Sequence, residues 1–138
     1  MPETRKAPHR LLAILLPIYG IASLTHFVHN AQFLASYPNM PAWWSREGVY
    51  LAWLGMTAVG VYGWICLARG FSGTGLLLLV LYAALGLDSL GHYVLAPISA
   101  HTAAMNATIL LEVTAAAVLL AEVLRLATLQ LLRRGGRI

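Results

Sequence analysis

Four long apolar stretches alternate along the chain with short polar or proline-bearing segments. A helix needs roughly 20 apolar residues to cross the hydrocarbon core of a bilayer. The pattern therefore predicts four spanning helices, at about 11–35, 46–67, 75–95 and 101–123. Pro38 and Pro41 close the first, Arg69-Gly70 the second and Pro97 the third, because proline ends a helix and glycine readily takes the turn that follows one. Short connections make consecutive helices neighbours, so the expected fold is an all-α integral membrane protein, an antiparallel up-down-up-down four-helix transmembrane bundle. The whole of 1–138 reads as one transmembrane domain, flanked by basic tails at 1–10 and 124–138.

Composition agrees with the pattern. Hydrophobic residues make up 59% of the chain and charged residues only 10%, against about 25% in a soluble domain. The first apolar run is too long for a signal peptide and lacks a small-residue cleavage site, so a retained helix is expected. Cys66 stands alone, which excludes an intramolecular disulfide and a cysteine-rich metal site. The net charge of +4 comes from the ends, a membrane-topology signal that gives no reason to expect a nucleic-acid partner. Arg5, Lys6 and Arg10 precede the first helix, Arg69 follows the second, and Arg125, Arg133, Arg134 and Arg137 mark the exit. The other two connections offer only Arg46, so the positive-inside rule puts both termini in the cytoplasm, with a bacterial inner membrane as the expected location. The lipid bilayer is then the first partner, and a homo-oligomer or a larger membrane complex is compatible with the composition.

The chemistry lies in polar residues inside the apolar stretches, where they are costly. His26, His29 and Asn30 fall in one sector of the first helix, Asp88 and His92 lie four apart on the third, and His101, Met105, Thr108 and Glu112 form a stripe on the fourth. With a rise of about 1.5 Å per residue, His29, His92 and Met105 share a layer roughly 6–9 Å below the outer surface. His26, Asp88 and Glu112 share a deeper one, roughly 12–17 Å down. Imidazole and carboxylate donors suit copper, iron or zinc. The expectation is a transition-metal site with His26, His29, Asp88 and His92 as ligands. Glu112 is the catalytic candidate, a further ligand or proton-transfer group. Tyr37, Trp43, Trp44, Tyr93 and His101 would line a mouth through which an apolar small-molecule substrate enters from the outer leaflet. That describes a metal-dependent membrane oxidoreductase, losing its metal in His26→Ala and His92→Ala but keeping it in His101→Ala. A non-enzymatic transport, proton-relay or assembly subunit with a structural polar network is the rival reading.

Several familiar sites are excluded. Glu112 has no histidine three residues on, as a carboxylate-bridged di-iron bundle requires. No His-Glu-x-x-His motif, no Gly-x-Ser-x-Gly elbow and no phosphate-binding glycine loop is present. Five histidines are too few for the boxes of membrane desaturases.

Two short patterns resemble known sites. Asp88-x-x-x-His92 followed by His101 resembles the Asp/His/His copper site in the membrane subunit of particulate methane and ammonia monooxygenases, over fewer than about fifteen residues and with a shorter gap before the last histidine. The layout of four helices with few histidines is also similar to small b-type cytochromes. That resemblance implies haem b between His26 or His29 and His92, with Gly86 and Gly91 making room for the macrocycle.

Overall fold

The computed structural model describes residues 9–135, except for the side chain of Arg134. The basic lead predicted at 1–10 thus lies outside the described residues over 1–8, as does the end of the second tail at 136–138. Five helices follow in order: α1 (Arg10–Gln32), α2 (Arg46–Ala68), α3 (Ser72–Leu87), the short α4 (Gly91–Leu95) and α5 (Ala103–Gly135). Three 3₁₀ turns join them, at Leu34–Ser36, Asp88–Leu90 and Ile98–Ala100, and the described residues contain no strand. Four segments are long and apolar enough to cross a membrane: Arg10–Gln32, Arg46–Ala68, Ser72–Leu95 and Ala103–Arg133.

Local chemistry sets the ends. Tyr37 is extended at ψ 129° because it precedes Pro38, whose ring disfavours the helical region in the residue before it. α1 accordingly stops at Gln32, short of the predicted 35, and tightens into the first 3₁₀ turn. Ser45 caps α2 by accepting from the Gly48 backbone N–H at 3.0 Å, and Glu47 puts negative charge in the first turn. At the other end Gly70, with φ +89°, reverses the chain. The Phe71 N–H then reaches the Cys66 carbonyl at 2.9 Å and the Gly70 N–H reaches Leu67 at 3.1 Å, the paired bonds of a Schellman cap. α5 does not end near 123 but continues to Gly135, because 124–132 is rich in leucine, a good helix former, and carries neither proline nor glycine. Arg125 also clamps Glu122 with two bonds of 2.7 and 2.8 Å.

α1 packs against α2 and α5, and α3 packs against the same two, closing a ring of four long helices around Tyr19, Leu79, Leu119 and Val123. Small residues set the approach. Gly60 lies under the Tyr82 ring, where an added Cβ would come within 2.6 Å. Gly75 lies on α2 itself, its added Cβ 2.7 Å from the Leu67 backbone nitrogen. Gly60 of α2 thus makes a close helix contact, and Trp53 of the same helix donates to the Ser23 hydroxyl at 3.1 Å.

Candidate functional site

At one end of the ring, the buried face of α1, the α3–α4 junction and the start of α5 meet around a polar cluster. Ser23, His26 and Asn30 follow the helical period of α1 and are all buried. His101, Met105 and Glu112 point inward from the α5 side in the same way, with Thr108 half-buried between them. His92 of α4 and Tyr37 of the α1–α2 connection complete the group. The rings form a chain of edge contacts, with centroids 5.3 Å apart for His26–His92 and 6.2 Å for His92–His101. Tyr37 sits among them, 4.9 Å from His92 and 6.4 Å from both His26 and His101. The two layers expected from helical depth are therefore one continuous cluster.

Hydrogen bonds assign the imidazole protons. The Thr108 hydroxyl donates to the Met105 carbonyl at 3.0 Å, so its oxygen accepts from His26 Nδ1–H at 3.3 Å. His26 Nε2 is left with a bare lone pair, 3.8 Å from Glu112 Oε2. His101 donates Nδ1–H to the Pro97 carbonyl at 3.1 Å, so its Nε2 is also bare. That nitrogen is buried and has no partner. On His92 the order is reversed: the Asn30 amide nitrogen donates to Nε2 at 3.0 Å, which places the proton on Nδ1. His92 Nδ1 and Asn30 Oδ1 are both buried without a partner, as is Glu112 Oε1. Unpaired buried polar atoms cost about 1–3 kcal/mol each, so four at one place mark a site that is set up for something.

Glu112 is fully buried, and the Ser89 hydroxyl donates to its Oε2. Asp88, the predicted ligand one residue earlier, is exposed in a fissure between α1, α2 and the α3–α4 junction. The backbone explains the divergence. Four α-helical steps leave two residues roughly 40° apart around the axis. The 3₁₀ turn at Asp88–Leu90 advances about 120° per residue, which swings Asp88 and His92 roughly 100° apart. His92 thus enters the cluster while Asp88 turns out of it, and Ser89 takes the inward position.

His29 is half-buried at the edge and pairs its Nδ1 with the Tyr37 hydroxyl at 2.9 Å. Burial holds that phenol up at about 12, against the opposing pull of a hydrogen bond with Thr108, so Tyr37 stays neutral at any physiological pH. Of the five predicted site residues, the structure brings together His26, His92 and Glu112, with His29 at the margin and Asp88 exposed in the adjoining fissure that His26 and His92 also line. His101, read from sequence as lining the mouth, is inside. Tyr37, also read as lining the mouth, is inside as well, whereas Ser89 was not singled out by pattern, being an ordinary helix residue. The space beside Gly86 is taken by the Tyr19 ring, whereas Gly91 has no neighbour within 4 Å of an added Cβ.

As the side chains stand, no group of three or more His, Cys, Asp and Glu among the described residues could hold a metal ion. Comparison with family models, with curated proteins and with solved structures gives no match.

Proposed function

We propose that the four apolar segments cross a membrane as an antiparallel up-down-up-down bundle with both termini cytoplasmic, and that the histidine cluster in its outer half is a transition-metal centre. A contact between connections supports the first part. Asn39, between α1 and α2, donates to the Leu95 carbonyl at the end of α4 at 2.9 Å, as expected if both connections lie at one face. Metal binding rests on one observation, the bare and buried Nε2 of His101 behind an Nδ1–H held by a backbone carbonyl. Histidine ligands of metals are oriented in this way. His26 Nδ1 is likewise held, by the Thr108 hydroxyl, while its Nε2 faces Glu112 Oε2 at 3.8 Å.

Metal–nitrogen bonds of about 2.0–2.1 Å put two rings that share an ion at centroid separations of roughly 4.5–6.5 Å. The His26–His92 and His92–His101 separations, 5.3 and 6.2 Å, fall in that interval. Binding still requires a rearrangement, in which His92 exchanges its bond from Asn30 for the ion. His26, His92 and His101 are then the ligands, and Glu112, with Ser89 fixing one oxygen, accepts or supplies a proton beside His26. Copper or iron would supply redox chemistry, and zinc a Lewis acid.

The test is elemental analysis and a visible spectrum of the full chain, expressed with copper, iron, zinc and haem supplied. One metal per chain is expected, lost in His26→Ala, His92→Ala and His101→Ala and kept in His29→Ala and Asp88→Asn. Folded protein that takes up no metal removes the reading, and a haem spectrum replaces it with the b-type cytochrome alternative. The approach of Glu112 to His26 favours one other reading, a proton relay, since buried acids and histidines in series also carry protons. Proton flux in proteoliposomes that disappears in Glu112→Gln, without any bound metal, would select it.

A further inference from the structure

Asp88 is unexplained by the histidine cluster. It is an exposed carboxylate among the most apolar residues of the chain, and no hydrogen bond or ion pair to it is present among the described residues. The fissure into which it opens has a volume of about 420 Å³. Its walls are mainly apolar, with Phe27, Trp44, Val49 and Leu85 among them; His26, Ser89 and His92 of the histidine cluster line it as well, and no Lys or Arg does. A second observation lies on the same lining. Asn30 is nine-tenths buried, and its Oδ1 has no partner. Both unsatisfied groups are acceptors: a carboxylate is acceptor-only when ionised, and the Asn30 amide nitrogen already serves His92.

A charge beside apolar walls needs an opposite charge, and unpaired acceptors need donors. Trp44 on the same lining is an aromatic side chain of the kind that attracts a cation. We propose that this fissure binds an organic cation, a protonated amine on an apolar body, with the ammonium at Asp88 and the body along Phe27, Trp44 and Leu85. The fissure adjoins the histidine cluster, since His26, Asn30, Ser89 and His92 also line it, but the ammonium is placed on Asp88, which is none of the three proposed metal ligands. Neutral amphiphiles fit the walls but leave the carboxylate without a counter-charge. Inorganic cations satisfy the carboxylate but leave the apolar walls without a partner.

Trp44 supplies the reporter. Full-length protein in nanodiscs of zwitterionic lipid is titrated with a brominated primary alkylamine and, separately, with the brominated alcohol of the same chain length. Saturable quenching by the amine is expected, absent in Trp44→Phe, and at least about tenfold weaker in Asp88→Asn. Asp88→Glu should restore it, and the alcohol should give only the linear quenching of a probe dissolved in lipid. Equal saturable quenching by amine and alcohol would overturn the proposal, as would undiminished amine binding in a folded Asp88→Asn. Displacement of the amine by stoichiometric calcium would reassign the carboxylate to an inorganic ion, and overturn it too. Should Asp88→Asn not fold, the wild-type comparison of amine with alcohol decides alone.

Discussion

Glu112 shows how one residue's worth depends on its partners. It is fully buried and accepts from Ser89 while its other oxygen has no partner. Removing the Ser89 hydroxyl leaves a second orphan, so Ser89→Ala should destabilise the protein by about 1–3 kcal/mol in denaturant unfolding from detergent. Removing both ends together should cost less than the sum. Ser89→Ala combined with Glu112→Leu is therefore expected to recover part of the loss, and a strictly additive cycle would disprove the coupling. Tyr37 yields a pH effect with a definite sign. Its phenol ionises near 10 when free and at about 12 in the fold, so the folded state holds the proton more tightly. Its contribution to stability is full below pH 10 and is lost as pH rises towards 12, since the unfolded chain then binds fewer protons. Tyr37→Phe should flatten that part of the stability profile, and an unchanged alkaline slope would contradict the burial argument.

Among the elements, the 3₁₀ turn at Asp88–Leu90 does most to shape the site. It was not legible in the sequence: Asp88 and His92 carry an α-helical spacing, and nothing in their types reports the tightening. Uniform helix throughout would have put both on one face. The turn gives Ser89 to the buried cluster and Asp88 to the fissure. Glycines at element ends and contacts were more legible by position than by energy. Gly70 needs its φ of +89°, so Gly70→Ala should cost about 1 kcal/mol. Gly75→Ala should cost more, because the Leu67 backbone at 2.7 Å cannot move aside without shifting α2 against α3. Gly73→Ala meets nothing within 4 Å and should be neutral or slightly stabilising. Thermal unfolding of the three variants checks that order.

At the scale of the whole molecule, the proposed topology predicts which connections face outward. In a Cys66→Ala background, Ala42→Cys should react with a membrane-impermeant maleimide on intact spheroplasts, and Ser72→Cys only after permeabilisation. The reverse pattern would invert the orientation, and equal labelling at both would overturn the antiparallel arrangement. By itself the sequence determined that there are four long apolar segments, where most of them begin and end, and that His26, His92 and Glu112 are polar residues in apolar runs. Length, proline and glycine positions and hydropathy are local properties, written residue by residue. Only the tertiary structure decided which polar residues meet. It brought His101 and Tyr37 in from connections, moved Asp88 out through a change of helical twist, and committed the Nδ1 protons of His26 and His101 to Thr108 and the Pro97 carbonyl. Those outcomes depend on packing around the ring of helices and on hydrogen bonds between distant residues, and a one-dimensional spacing rule contains neither.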